Sequence, residues 1–205
     1  MDSKLLVDFE NPNPQNPHNY LLDTTAFNRL ADREDWLYIA EQSLLLGFRY
    51  YKTANQNFEI QGLGAKVYTA ETFIPLDFKI SDELKKKLPI FADIQARLNI
   101  KRVSSIASLM DNHWVLDGTY RILDGKSAVG KMTVKILNAN EKLRERHPFA
   151  QHYDAMTAEA AIYNHCYLVT DDSKLKKLVV EDFPSRAITT AELVERIEAI
   201  AKPAK

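Results

Sequence analysis

The chain contains one cysteine, Cys166, so no internal disulfide forms. That excludes a small disulfide-stapled scaffold and fits a reducing compartment. Cys166 lies in the apolar stretch Cys166–Val169, which predicts a buried core thiol rather than a nucleophile. Apolar runs of membrane-spanning length are missing. The first residues, Met1-Asp2-Ser3-Lys4-Leu5-Leu6-Val7, lack the long apolar core of a signal peptide, so the expected location is the cytoplasm. An excess of either charge is missing too: 27 basic and 28 acidic residues give a formal net charge of -1. Whole-chain charge therefore neither supports nor excludes a nucleic-acid partner, and only a local basic patch would. No internal repeat is visible. The five histidines, at positions 18, 113, 147, 152 and 165, show no zinc-type spacing, and Pro148 between His147 and His152 excludes a helical ligand pair.

What is present is an ordinary globular composition. With 205 residues, 45% hydrophobic and 27% charged, the chain is long enough for one domain with a real core. Residues 1–19 read as an extended lead-in, because positions 8–19 hold three prolines and four asparagines. A single domain is expected over 20–201, with an enlarged helical middle at about 63–150, and a frayed tail over 202–205.

Periodicity predicts a buried strand at Tyr20–Leu22, a helix over Thr24–Leu30 and a second over Asp35–Leu46 ended by Gly47. Phe48–Thr53 alternates and reads as a strand, after which Thr53 or Asn55 caps a helix containing Glu59. Asp82–Leu98 reads as a charged helix that Pro89 breaks or kinks. Val103–Met110 fits either a strand or a helix start, whereas Trp114–Leu123 and Val129–Arg146 read as helices separated by Asp124-Gly125. Then follow an alanine-rich helix (Asp154–Asn164), a strand (His165–Thr170), a short helix (Ser173–Val179) and a strand (Ala187-Ile188). The last helix is Thr190–Ala201, capped by Thr190 with Glu192 near its start. Alternating strands and helices imply an α/β three-layer sandwich, a central and mostly parallel sheet covered on both faces.

Four acids stand out. Asp23 and Asp172 each follow an apolar strand-like run, and Glu59 and Asp154 fall in or near the first turns of helices. Singly, each has an ordinary role as a turn residue or helix-dipole partner. Together they have a common destination, because ligands of open α/β sheets bind at the carboxyl ends of strands. Carboxylates gathered there repel one another unless a cation lies between them.

The motifs Leu21-Leu22-Asp23-Thr24, Asn57-Phe58-Glu59-Ile60-Gln61-Gly62, Asp154-Ala155-Met156-Thr157-Ala158 and Leu168-Val169-Thr170-Asp171-Asp172 occur in that order. Their order and spacing, from about Tyr20 to Ala199, resemble the PIN-domain family of metal-dependent ribonucleases. The family's bacterial toxin-type members are usually shorter, and the excess here falls between Gly62 and Asp154. The resemblance implies that Asp23, Glu59, Asp154 and Asp172 are the metal-site acids, with Mg²⁺ or Mn²⁺ as cofactor. It implies that Thr24 and Thr170 orient carboxylates or a metal-bound water. Asp171, where the family often has Asn, is either a fifth acid or a cap for the next helix, and Asp171 and Asp172 are interchangeable in this assignment. Glu41 is the rival of Glu59, and Glu159 reads as surface charge.

Phosphodiester hydrolysis suits such acids, since Mg²⁺ takes hard oxygen ligands and few of them from protein. Lys52, Lys126, Lys131, Lys135, Arg144, Arg146, Lys174, Lys176 and Lys177 are candidates for holding RNA, each with a solvated helix face as the plainer role. Tyr50 and Tyr51 are candidates for stacking on bases, with core packing as the stronger expectation. The partners of this reading are RNA, an antitoxin protein and a second copy of the chain, and no membrane. Two rivals remain. One is a PIN-like scaffold that binds RNA or protein without cutting. The other is a phosphatase using a strand-end aspartate, although Thr25 stands where such enzymes typically place a second acid.

Overall fold

The structure, a computed structural model, describes residues 10–53, 56, 82–103, 126–139 and 150–201. Five parallel strands form one sheet: β1 (Asn19–Leu22), β2 (Arg49–Thr53), β3 (Lys101–Val103), β4 (Tyr167–Val169) and β5 (Ala187–Ile188). Seven α-helices accompany them among the described residues: α1 (Thr24–Asp32), α2 (Glu34–Ser43), α3 (Asp82–Arg97), α4 (Ala128–Asn138), α5 (Ala150–Tyr163), α6 (Ser173–Asp182) and α7 (Thr190–Ala201). The expected α/β three-layer sandwich is what the chain forms.

The sheet order is β3-β2-β1-β4-β5. Leu21 pairs with Tyr51 of β2 on one side and Leu168 of β4 on the other. The chain thus builds outward from β1 in one direction, then returns to build in the other. Successive side chains of a strand point to opposite faces, and β1 obeys this. Tyr20 and Leu22 join a core with Phe27 of α1, Leu37 of α2, Ile94 of α3 and Leu193 of α7. Leu21 joins the opposite core, with Met132 of α4, Ala158 of α5 and Val179 of α6. A strand covered on both faces needs an unbroken apolar run, which is why Tyr20-Leu21-Leu22 is legible as one.

Local chemistry accounts for the element ends. Gly47 closes the 3₁₀ turn Leu44–Leu46 that follows α2, and its φ of 87° lies in the left-handed region that favours glycine. Helix α3 runs through Pro89 without ending, contrary to a break there. Pro89 and Lys85 are both exposed, so water is available to the carbonyl that lacks an N–H partner. Helix α7 is capped one residue earlier than expected. Thr189 Oγ1 accepts from the Glu192 N–H (3.2 Å), while Glu192 Oε2 accepts from the Thr189 N–H (2.6 Å), a reciprocal capping box.

Helix α5 begins at Ala150, so Asp154 lies one turn in rather than at the start. The helix is buried on most of its circumference, between the sheet and α4. Glu159 is accordingly only 1% exposed, which corrects its reading as surface charge. Alanines on both sides of it let the helix approach the sheet closely enough to enclose a polar side chain.

The lead-in is fastened to the sheet. The Glu10 N–H donates to the Arg102 carbonyl of the edge strand β3 (2.8 Å), and the Asn19 side chain donates to the Asn13 carbonyl (2.8 Å). The readings made for Glu59 and its helix, for Trp114–Leu123, for Arg144 and Arg146, and for the tail over 202–205 fall outside the described residues. No helix among the described residues is long and apolar enough to cross a membrane.

Candidate active site at the carboxyl end of the sheet

Strand β1 lies between β2 and β4, so the order reverses at the β1/β4 boundary. Crossover connections leave on opposite faces there and open a crevice above the strand ends. Two of the sequence-predicted acids follow the strands that flank this crevice: Asp23 after β1, and Asp172 after β4. Asp154 reaches the same end by topology. Helix α5 leads directly into β4, so its start lies at the carboxyl end of the parallel sheet, and Asp154 is its fifth residue.

Asp23 is the centre of the arrangement. It is 5% exposed, and its N–H extends the β1–β4 pairing by donating to the Val169 carbonyl (2.9 Å). Its Oδ2 accepts from Thr25 Oγ1 and from Thr170 Oγ1, each at 2.8 Å. Those hydroxyls are themselves held by backbone donors: Thr25 Oγ1 accepts from the Asp171 N–H (2.9 Å), and Thr170 Oγ1 from the Asp172 N–H (3.1 Å). Two N–H groups after β4 therefore polarise two hydroxyls, and both hydroxyls point their protons at one carboxylate oxygen. Such chains strengthen link by link in a poorly solvated setting.

Burial pushes the Asp23 carboxyl above the usual carboxylate range; the Thr25 and Thr170 hydroxyls and the Thr24 and Thr25 N–H groups pull against it without prevailing. The cause is desolvation, not repulsion between clustered acids. Of the two threonines expected to orient carboxylates, Thr170 is one whose hydroxyl donates to Asp23. At the first strand end the hydroxyl that meets Asp23 belongs to Thr25, two residues on, while Thr24 contributes its N–H. An Asp-x-Thr spacing of two was the signal for this, since short polar side chains at that offset bond each other in turns.

The two adjacent acids after β4 separate cleanly. Asp172 is the cap of α6: its Oδ1 accepts from the N–H groups of Lys174 (2.8 Å) and Leu175 (3.0 Å). Asp171 reaches across to α7, where its carboxylate accepts from both the N–H and the hydroxyl of Thr190. Each thus has a structural task at a helix start. Gln56, which the sequence did not flag, ties the neighbouring strand ends together. It is buried, donates to the Leu22 carbonyl (2.5 Å) and accepts from the Thr53 N–H (2.6 Å).

Among the described residues, no group of three His, Cys, Asp or Glu side chains gathers closely enough to hold a metal ion. The donor chemistry at Asp23 still fits Mg²⁺ or Mn²⁺, which are commonly held through one or two carboxylates completed by water and substrate phosphate. The rival glutamate, Glu41, is committed elsewhere: it accepts from Arg97 Nε (3.0 Å), joining α2 to α3. Of the cations expected to hold RNA, Lys135 pairs with Glu181 and Lys176 with Glu192, each at 2.5 Å. Lys126, Lys131, Lys174 and Lys177 are exposed, and Lys52 is buried. Tyr50 and Tyr51 are core residues on opposite faces of the sheet.

Comparison of the chain with protein-family models, with curated protein sequences and with solved structures gives no match.

Proposed function

We propose that this protein is a divalent-metal-dependent ribonuclease of PIN type, hydrolysing phosphodiester bonds in single-stranded or loop RNA. The observation that carries the reading is Asp23. A carboxylate is buried where β1 and β4 diverge, with two hydroxyls and their backbone donors aligned on one of its oxygens. Burying a charge costs free energy unless something compensates it, and a divalent cation with hard-ligand preference is the compensation that suits an aspartate. The ordered motifs from Asp23 to Asp172 support the same reading, as does the sheet order that brings both ends of the chain to one crevice.

In this proposal Asp23 is the principal ligand, with Asp154, Asp172 and Glu59 the other acids of the site, and Asp171 an adjacent fifth. When bound, Mg²⁺ or Mn²⁺ makes its water a better nucleophile and stabilises charge on the scissile phosphate. Thr25 and Thr170 hold Asp23 in one rotamer, so its second oxygen keeps a constant direction. Asp172 serves with whatever lone pairs its cap leaves. The toxin assignment, its antitoxin and the homodimer rest on the resemblance alone, and the cytoplasmic location on the sequence.

The test is cleavage of a mixed-sequence single-stranded RNA by purified protein, with Mg²⁺ or Mn²⁺ and with EDTA. Parent protein is expected to cut only with metal, and Asp23→Asn and Asp154→Asn are expected to abolish cutting with the fold retained by circular dichroism. Parent-level cleavage by both variants would overturn the assignment. Glu41→Gln is expected to cut normally. RNA binding without cleavage under any metal would favour the scaffold reading.

A further inference from the structure

The opposite end of the sheet gathers basic side chains. His18 precedes β1, Arg49 opens β2, Lys101 opens β3, His165 lies two residues before β4, and Arg186 stands just before β5. Helix ends account for part of this. Helices α2, α3, α5 and α6 each lead into the next strand, and cations suit helix C-termini. Arg49 accordingly donates to the Leu44 and Phe48 carbonyls. Arg186 has a different setting, which it shares with Arg196 of α7. Both guanidiniums lie over one ring, that of Tyr167, with their Cζ atoms 5.2 and 4.5 Å from its centroid. Tyr20 is the register partner of Tyr167 on β1, and the two rings stack at 5.5 Å.

A ring beneath a guanidinium fixes its plane without using its N–H groups. Arg186 gives one N–H to the Cys166 carbonyl (3.0 Å). Arg196 hydrogen-bonds the Tyr20 hydroxyl and draws that phenol down, against the larger rise that burial causes. Apart from these contacts and the ring, neither guanidinium meets another described residue, and neither is paired with a carboxylate among them. Each carries five donors, so most are left facing outward from two partly buried side chains. Tyr20 supplies a second, separate observation. It is 1% exposed, and its hydroxyl proton has no acceptor among the described residues. A buried hydroxyl is ordinarily satisfied. An oxygen held by Arg196 would be within reach of it, since Arg196 already meets that hydroxyl.

Two oriented forks and a phenol proton suit a compact anion with several oxygens. A planar guanidinium takes two oxygens of a phosphate through parallel hydrogen bonds. We infer that Arg186 and Arg196, braced by Tyr167 and bordered by the Tyr20 hydroxyl, form a site for a phosphate group at the amino end of the sheet. The phosphate is either free or a phosphodiester of RNA, since both present the same non-bridging oxygens. The inference does not depend on the ribonuclease reading, because strand β1 separates this end of the sheet from Asp23. Neither arginine is marked by a motif in the sequence.

The experiment uses the full chain, in EDTA so that RNA stays intact. Melting is followed against inorganic phosphate for the parent, Arg186→Met, Arg196→Met and Arg186→Lys, with circular dichroism to show that each is folded. Phosphate stabilises folded proteins in general, so the site is read from the part of the rise that the methionine variants lose. The parent is expected to gain more than either, by an amount that grows with the logarithm of phosphate concentration. Arg186→Lys should keep part of the gain, because an ammonium retains the charge but not the fork. Anisotropy of a labelled single-stranded RNA across a salt series distinguishes the sources. If RNA is the occupant, each methionine variant should bind at least about tenfold more weakly, with a salt slope lower by about 0.7. Parent-like RNA binding together with a lost phosphate effect would assign the site to free phosphate. An equal phosphate effect in the parent and both methionine variants, with RNA affinity and slope unchanged, would overturn the inference. If Arg196→Met fails to fold, because Tyr20 loses its partner, Arg186→Met carries the same test.

Discussion

Asp23 is a residue whose protonation is linked to stability. Its carboxyl titrates above the usual range because it is buried. Below the unfolded-state value, about 4, the group is neutral in both states and burial carries no charge penalty. As pH rises through the elevated folded-state value, the charge must be buried and stability falls. Asp23→Asn removes that slope, so the variant is expected to melt above the parent at neutral pH and to approach it in mild acid; a thermal melt at several pH values checks this. Thr170 is a different case. Thr170→Val keeps the shape but leaves Asp23 Oδ2 and the Asp172 N–H each short of a partner. The expected loss is about 1–3 kcal/mol, measured by denaturant unfolding. The Cys166 thiol, pushed up to about 12 by burial, should resist alkylation at neutral pH until the protein unfolds. Asp23 and Thr170 could be picked out from the sequence because each stands at the end of an apolar run. Thr25 and Gln56 could not, because their importance lies in which oxygen or strand end they face.

Among the secondary elements, the helix starts repay attention, because they decide how the acids are used. Helix α6 takes Asp172 as its cap, and α7 engages both Asp171 through Thr190 and Glu192 through Thr189. Thr189→Ala removes one side of the capping box and should cost about 1 kcal/mol, or about 2–4 °C in melting temperature for a domain of this size. Burial raises the Glu192 carboxyl, but hydrogen bonds from Lys176 and Thr189 outweigh it and hold the group below its ordinary value. Its contribution is thus present at neutral pH and lost as pH falls through that depressed value. Glu192→Gln should therefore be destabilising at pH 7 and nearly neutral in acid, as melts at both pH values would reveal. The capping motif Thr189-x-x-Glu192 was visible as a helix start, yet one residue out of place, since Thr189 and Thr190 are equivalent until one hydroxyl is seen to meet the N–H. Of the two outcomes expected at Pro89, a break does not occur: the helix continues through it on an exposed face, where water can replace the lost hydrogen bond.

For the molecule as a whole, the sheet order makes the site. Building from β1 outward in both directions brings Asp23 and the Thr170–Asp172 segment together across about 150 positions of chain, a separation no local interaction could bridge. Under the ribonuclease reading, a metal that binds only the folded state must stabilise it by mass action. Mn²⁺ is expected to raise the melting temperature of the parent in proportion to the logarithm of its concentration, and to have little effect on Asp23→Asn. An equal rise in both would place the metal elsewhere.

The α/β class, the strand at Tyr20–Leu22 and the acids at strand ends all follow from short-range patterns: apolar runs, three-four spacing and turn chemistry within a few residues. Those patterns express local conformational preference and burial, which depend on neighbours in sequence. The division of labour between Asp171 and Asp172, the burial of Glu159 and the meeting of Arg186 and Arg196 over Tyr167 depend on neighbours in space. They emerged only once the parallel sheet had set its order and register, because packing across strands, not the chain next to a residue, determines which polar groups meet and which are left without water.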